Sequence, residues 1–160
     1  RRRRRMLPRG EQPGEWRQGD RRDERALWAD VAPEEREVVS QKVFAIDPAT
    51  PDEAAADMEQ LDYDFWLFHD LASDADAVIE RLPEGRYRLQ RTTPVNAEAG
   101  PVAIELDVVE QVPPTTTLEE AIERLEDGGE RFVFFVDAEA GRGHVVYRRY
   151  DGHYGLLRPE

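Results

Sequence analysis

The chain has 160 residues, of which 35 are acidic and 22 basic, so its net charge is −13. It contains no cysteine, which excludes disulfides, thiolate metal sites and cysteine nucleophiles. It shows no apolar run long enough to cross a bilayer and no secretory signal, so we expect a cytoplasmic protein without a membrane partner.

The first 37 residues are rich in arginine. Residues 1–28 carry ten arginines and five acidic residues, a net of +5, which leaves −18 for residues 29–160. Few aliphatic residues occur there, so the burial of apolar surface cannot offset the loss of conformational entropy on folding. We therefore predict a disordered basic tail or linker over residues 1–37. The tail starts with a block of like charge that is a candidate for contact with RNA phosphates: Arg1, Arg2, Arg3, Arg4 and Arg5.

An internal repeat follows the tail. Sliding Thr50–Leu89 forward by 67 positions lays it on Thr117–Leu156 without a gap, and apolar, turn and aromatic positions coincide. The coinciding pairs include Ala54/Ala121, Phe65/Phe132, Phe68/Phe135, Val78/Val145, Arg81/Arg148, Gly85/Gly152 and Tyr87/Tyr154. We therefore predict repeat 1 at residues 38–90, a linker at residues 91–101 and repeat 2 at residues 102–160.

Each repeat is predicted to follow a β-α-β-β-β pattern, which makes the fold class α+β. The first strands are predicted at residues 38–46 and 102–112. Thr50 and Thr117 each precede a helix and are followed three residues later by a glutamate, the pattern of a capping box. Apolar residues then recur at helical spacing, so each helix is predicted to bury one stripe.

The strand after each helix is apolar on both faces. Phe65 and Leu67 alternate with Trp66 and Phe68, and the same alternation occurs in residues 132–136. A single helix covers only one face of a sheet, so the other face needs a partner. We predict that the two repeats pair with each other through these sheet faces inside one chain, and pairing between two chains is the alternative.

The last predicted elements form a hairpin within Gly141–Leu157. Residues 144–149 mix β-branched and aromatic residues and are predicted to form a strand. Asp151-Gly152 is the dipeptide that a two-residue type I′ turn prefers, because both turn positions need a positive φ. The returning strand is predicted at Tyr154–Leu157.

This hairpin resembles the end of the C-terminal domain of long hibernation-promoting factors, the ribosome-associated sigma-54 modulation family. The preceding helix and aromatic strand, Thr117–Val136, match that domain in order and spacing. The residues that carry the resemblance are Tyr147, Arg148, Arg149, Asp151, Gly152, Tyr154, Gly155, Leu156 and Leu157. Repeat 1 departs from the pattern, with Glu80, Leu82, Pro83 and Glu84 in place of Tyr147, Arg149, Tyr150 and Asp151.

The resemblance implies a dimerisation module that pairs with its copy on another molecule and so brings two ribosomes together. In that family a separate N-terminal domain occupies the small ribosomal subunit. The chain is thus expected to be a piece of a longer factor that meets the ribosome through the full-length protein. The interface is predicted to comprise Phe65, Leu67, Phe132, Phe134, Val145, Tyr147 and Tyr154.

The sequence shows no arrangement typical of catalysis. His69, His144 and His153 lack the spacing of metal ligands. Three acidic clusters are predicted to be solvated surface: Asp62/Asp64, Asp70/Asp74/Asp76 and Glu119/Glu120/Glu123. We expect neither an enzyme nor a cofactor or metal site. Arg148 and Arg149 are predicted to form ion pairs with nearby carboxylates instead of contacting RNA.

Two functions remain open. The first is a non-catalytic pairing module of a ribosome hibernation factor, which contributes to ribosome inactivation and storage and to translation regulation under stress. The alternative is a nucleic-acid-associated regulator that binds ribosomal RNA through the arginine run, with the acidic region as a tether.

Overall fold

The computed structural model of the protein describes residues 32–44, 47–93 and 103–159. The predicted arginine-rich tail up to residue 31, with Arg1 to Arg5, lies outside the described residues, as do residues 94–102 of the region between the repeats. Two short 3₁₀ turns, Pro33–Glu35 and Pro83–Gly85, accompany the regular elements.

Ten strands and two helices are present among the described residues. Those of the first half of the chain are β1 Val38–Phe44, β2 Pro48–Ala49, α1 Pro51–Gln60, β3 Phe65–Asp70, β4 Ala75–Arg81 and β5 Arg86–Arg91. Those of the second half are β6 Glu105–Val109, β7 Thr115–Thr116, α2 Leu118–Gly128, β8 Phe132–Asp137, β9 Gly143–Arg148 and β10 Tyr154–Pro159.

Both helices begin with the predicted capping box. The Thr50 hydroxyl accepts a hydrogen bond from the Glu53 N–H at 3.1 Å, and the Glu53 carboxylate accepts one from the Thr50 N–H at 3.0 Å. Thr117 and Glu120 exchange the same two bonds at 3.2 and 3.1 Å. Each box satisfies N–H groups that a helix start would otherwise leave unpaired.

The strands form two mixed sheets of five strands, each with one helix, so the α+β class is confirmed. Sheet 1 has the strand order β2-β3-β4-β5-β6, and sheet 2 has the order β1-β10-β9-β8-β7. In both sheets the three central strands are antiparallel neighbours, and the outer strands pair parallel to them.

The first strand of each repeat lies in the sheet of the other repeat. Strand β1 pairs parallel to β10 at the far end of the chain, with Ser40 opposite Gly155. Strand β6 pairs in the same way with β5, where Asp107 lies opposite Arg88. These two registers are equivalent under the 67-residue repeat. Sequence patterns identified the strands but could not tell which sheet each one joins.

The turn between β9 and β10 differs from the prediction. A type I′ turn at Asp151-Gly152 needs a positive φ at both residues, and only Gly152 has one, at 93°. The Gly152 N–H donates to the Arg149 carbonyl at 3.1 Å, and the Arg149 N–H donates to the His153 carbonyl at 2.8 Å. The hairpin therefore closes through a longer turn, from Arg149 to Gly152, in which the glycine supplies the left-handed position.

The two faces of sheet 2 belong to different cores. Its helix face packs Val133, Phe135 and Val146 against α2, in a cluster completed by Ala121, Leu125, Tyr154 and Leu156. Its other face joins the core of sheet 1. The alternation predicted from the sequence for β8 is thus confirmed, and the second face is covered by the other repeat.

Candidate pairing interface

The non-helical faces of the two sheets pack against each other in one apolar cluster. Repeat 1 contributes Phe65, Leu67 and Val78, and repeat 2 contributes Phe134, Val145, Tyr147 and Leu157, with Phe132 partly buried against them. All but Phe132 are less than 9% exposed, as in a protein core. Burial of one such side chain contributes about 1.5–3 kcal/mol, so these residues dominate the stability of the contact.

The contact follows the internal repeat. Phe65 and Phe132 occupy equivalent positions, 67 residues apart, and their rings stack with centroids 4.5 Å apart. Equivalent residues can touch each other only where a twofold axis passes between the repeats. The two halves of the chain are thus related by a pseudo-twofold axis that runs between β3 and β8.

An ion pair lies beside the stacked rings. Asp64 accepts a hydrogen bond from Arg81 of its own repeat at 2.7 Å and another from Arg131 of repeat 2 at 2.9 Å. Asp64 and Arg131 are again equivalent positions, so this pair also lies on the axis. The Asp64 side chain is 10% exposed and that of Arg131 is 43% exposed.

A second polar contact lies further along the axis. Asp76 of β4 accepts two bonds from the Arg142 guanidinium, at 2.8 and 2.9 Å, and one from the Gly143 N–H at 2.8 Å. Burial opposes the charge of this carboxylate, but the bonds from Arg142 and Gly143 prevail and lower the pKa of Asp76. Asp76 therefore binds repeat 2 as a buried carboxylate.

The acidic clusters predicted as solvated surface are only partly so. Asp64, Asp70 and Asp76 are 7%, 0% and 4% exposed, whereas the Asp74 side chain is 94% exposed. Asp70 binds the Nε of Arg91 at 2.9 Å, which explains how a carboxylate is tolerated in the core. Composition could not distinguish these aspartates, because their partners lie up to 67 residues away.

The histidines have structural contacts. His69 lies between Asp74, at 2.8 Å from Nε2, and Asp76, at 3.1 Å from Nδ1. His144 is buried edge-on to the Phe135 ring, and His153 accepts a bond from the Glu37 N–H at 3.0 Å. In the described part of the chain, no group of three or more His, Asp or Glu side chains could hold a metal ion.

Two glycines permit close approach within the paired faces. A Cβ on Gly155 would overlap the hydroxyl end of the Tyr147 side chain, 2.5 Å from its Cε1 atom. A Cβ on Gly143 would lie 2.9 Å from both the Asp76 Cβ and the Phe134 Cε1. Real Cβ atoms almost never come so close, so both positions require glycine for space and not for backbone conformation.

The pseudo-symmetry is broken on one side of the axis. Repeat 2 places Tyr147 and Leu157 in the contact, and the equivalent residues of repeat 1 are Glu80 and Gln90. A groove of about 560 Å³ opens there, lined among others by Glu80, Arg88, Gln90, Phe132 and Phe134. Burial raises the pKa of Glu80.

One predicted interface residue lies elsewhere. Tyr154 is on the helix face of sheet 2, where its hydroxyl donates to Glu126 of α2. Strand alternation explains the placement, since Gly155 and Leu157 of the same strand face sheet 1. Tyr87 donates to Glu59 in the same way in repeat 1. The other six predicted residues lie in or against the cluster between the sheets.

The two arginines of the closing hairpin form ion pairs, as predicted. Arg148 contacts Glu126 at 3.2 Å, and Arg149 contacts Asp151 at 3.0 Å. Arg36, just before β1, also binds Glu126, at 2.6 Å, and so joins the exchanged strand to α2. Sequence reasoning missed this last contact because Arg36 lies 90 residues from its partner.

Two homologous α+β units, with facing sheets and exchanged first strands, define a tandem-repeat protein with an internal pseudo-twofold axis. The chain belongs to the family described as "Sigma 54 modulation/S30EA ribosomal protein C terminus", whose pattern it matches twice, at residues 33–89 and 109–156. The resemblance seen in the closing hairpin is thereby confirmed. No helix among the described residues is long and apolar enough to cross a membrane.

Curated bacterial relatives carry names that concern translation. The chain is 37% identical over 137 residues to the "Dormancy associated translation inhibitor" of two Mycobacterium tuberculosis strains, CDC 1551 / Oshkosh and H37Rv. That match covers 81% of this chain and 50% of the relative. Over 42 residues the chain is 48% identical to the "Ribosome hibernation promotion factor" of Lactococcus lactis subsp. cremoris. This second match covers 26% of this chain and 23% of the relative. The chain thus spans about half the length of the mycobacterial relatives.

Proposed function

We propose that this chain is the non-catalytic pairing module of a ribosome hibernation factor, and that its two repeats pair inside one molecule. The stacking of the equivalent residues Phe65 and Phe132 across a pseudo-twofold axis carries the proposal. Under it, a pairing that single-copy relatives make between two molecules is made between two halves of one chain. The names of the relatives support the connection to the ribosome and to translation, and a cytoplasmic location follows from it.

The connection between the repeats favours pairing within the chain. Strand β5 ends at Arg91 and β6 begins at Glu105 in the same sheet, so a short segment joins the two repeats. A tether of this length gives an effective concentration on the order of millimolar, which a second molecule cannot match at ordinary protein concentrations. The exchanged strands add backbone hydrogen bonds to the apolar contact.

The mass of the chain in solution tests the proposal. We expect the wild type to remain at the 18.4 kDa of one chain over a wide concentration range. Phe132→Arg replaces the ring stacked on Phe65 by a charged side chain and should lower thermal stability without changing the mass. Leu71→Arg is the matched control, because Leu71 is 59% exposed and the substitution should be neutral. A concentration-dependent wild-type dimer that Phe132→Arg splits into stable, folded monomers would contradict internal pairing.

Charge asymmetry supports a second candidate function. The +5 net charge of residues 1–28 contrasts with −18 for the remainder, so the arginine run is the part suited to ribosomal RNA. Deletion of Arg1–Arg5 separates the two functions. Pairing and stability should survive the deletion if the chain is a pairing module, whereas salt-dependent RNA binding should be lost if the run is an RNA contact.

A further inference from the structure

Beside the identical Phe65 and Phe132, two pairs of residues that meet on the pseudo-twofold axis are unlike in charge or size. Asp64 meets Arg131, and Asp76 meets Gly143, although each pair occupies equivalent positions of the repeat. We infer that these two contacts make the pairing selective, so that repeat 1 fits repeat 2 and rejects a second copy of itself. This inference rests on the proposed function, and it specifies which partner the pairing surface accepts.

The Asp64 contact discriminates by charge. A pair of two first repeats would bring two Asp64 carboxylates together on the axis, and a pair of two second repeats would bring two Arg131 guanidinium groups together. Water would screen the repulsion between two Asp64 carboxylates weakly, because that side chain is only 10% exposed, and it would screen two Arg131 side chains, 43% exposed, more strongly. Only the unlike combination gives an attractive contact at this position.

The Asp76 contact discriminates by size and by hydrogen bonding. Two first repeats would oppose two Asp76 side chains where even one added Cβ would lie 2.9 Å from the Asp76 Cβ. Two second repeats would oppose two Gly143 residues and would leave the Gly143 N–H and the Arg142 guanidinium without the acceptor they have now. Only the pairing of repeat 1 with repeat 2 supplies both one carboxylate and the space for it.

Both members of the charged pair neighbour an equivalent arginine of their own repeat, which permits an exchange experiment, although Asp62, which contacts Arg81 at 3.3 Å, is replaced by Gly129 in repeat 2. In repeat 1, Arg81 contacts Glu59 at 2.9 Å and lies beside Asp64. In repeat 2, Arg148 contacts Glu126 at 3.2 Å, and the Arg148 N–H bonds the Arg131 carbonyl at 3.1 Å. We expect the Arg148 guanidinium, which is equivalent to that of Arg81, to be the basic partner of an aspartate at position 131.

Charge reversal in the full chain tests the inference in cis. Asp64→Arg and Arg131→Asp each place like charges on the axis, and each should raise the unfolding equilibrium constant on the order of tenfold, measured by urea denaturation. The double variant Asp64→Arg/Arg131→Asp restores an opposite pair and should recover most of the wild-type stability. Equal stability of both single variants and the wild type would overturn the inference, as would a double variant no more stable than its singles.

Mixing the two single variants tests the selectivity in trans. An Arg131→Asp chain carries aspartate at both axis positions and an Asp64→Arg chain carries arginine at both. Each should therefore pair better with the other than with itself. After joint refolding from urea, native mass spectrometry of differently tagged chains should show more 1:1 heterodimer, of twice 18.4 kDa, than a mixture of wild-type chains does. If the two variants form no more heterodimer than two differently tagged wild-type chains, the selectivity is refuted.

The outcomes separate this inference from the proposed function. A wild type that dimerises with itself refutes internal pairing, whatever the charge variants do. A monomeric wild type that is destabilised by Phe132→Arg but indifferent to both charge reversals keeps internal pairing and refutes the axial selectivity. If a single variant fails to fold, recovery of folding in the double variant still supports the inference, and its absence refutes it.

Discussion

The contact between Gly155 and Tyr147 leads to a sharp prediction for the variant Gly155→Ala. The added methyl group would overlap the Tyr147 ring, so the ring must move. Tyr147 is 0% exposed and its centroid lies 5.9 Å from that of Phe65, so it can move only by disturbing the contact between the sheets. A single methyl group should thus weaken the interface from inside.

The expected cost can be estimated from these contacts. Forcing a methylene-sized group into a packed core costs about 1–3 kcal/mol, and a disturbed aromatic pair adds about 0.5–1.5 kcal/mol. Replacing glycine in extended backbone recovers about 0.4–1 kcal/mol by restricting the unfolded chain. The net loss should lie between about 0.5 and 4 kcal/mol, and its central value of about 2 kcal/mol lowers the melting temperature of a folded region of this size by about 10 °C.

Urea denaturation and thermal melting measure this loss, with two further variants for comparison. Arg88→Ala is the matched control at the equivalent position of repeat 1, where the side chain is 47% exposed and pairs with Glu80, and it should cost less than about 1 kcal/mol. Tyr147→Leu removes the ring, so Gly155→Ala should cost little in that background. A neutral Gly155→Ala, or one equally harmful with and without the ring, would refute the reasoning.

Three further expectations concern other contacts. Partial burial opposes the charge of His69, but its bonds to Asp74 and Asp76 raise its pKa; the contribution of His69 to stability is therefore present below its unfolded pKa of about 6.5 and lost as the pH rises through the folded value. His69→Gln should consequently lower the free energy of unfolding at pH 5.5, by no more than about 1 kcal/mol, and with it the melting temperature. At pH 9 the substitution should leave both unchanged. The triple variant Glu80→Tyr/Arg88→Gly/Gln90→Leu copies the repeat 2 residues into the groove and should stabilise the fold by about 1–3 kcal/mol in urea denaturation. Arg36→Ala removes the ion pair that joins the chain before β1 to α2, so amide exchange in β1 should accelerate selectively.

The sequence was most informative where local chemistry decides the structure. The capping boxes at Thr50 and Thr117 were visible because both partners lie within one helical turn. The two apolar faces of β8 were visible because strand alternation has a period of two. The repeat itself, read as a spacing of 67, predicted that the second half would copy the first.

Contacts between distant segments could not be predicted in the same way. Nothing in the residues of β1 shows that the strand joins β10, because a parallel edge register leaves little pattern in sequence. Asp76 looked like any surface aspartate, and its burial depends on Arg142 and Gly143. The Asp151-Gly152 dipeptide suggested a tight turn, but the bond from Gly152 to Arg149 extends the loop by one residue.

The strand exchange has a consequence for the order in which the protein folds during synthesis. Strand β1, Val38–Phe44, is synthesised well before its partner β10, Tyr154–Pro159. Roughly 110 residues separate β1 from β10, so at a synthesis rate of about 5–20 residues per second β1 waits about 6–20 s for its neighbour. Repeat 1 likewise lacks its edge strand β6 until synthesis has passed Val109. Neither sheet is complete until its strand from the other half has been made, so a nascent chain exposes an unpaired strand edge until β10 has been synthesised, and a chain truncated before β10 keeps that edge open to aggregation.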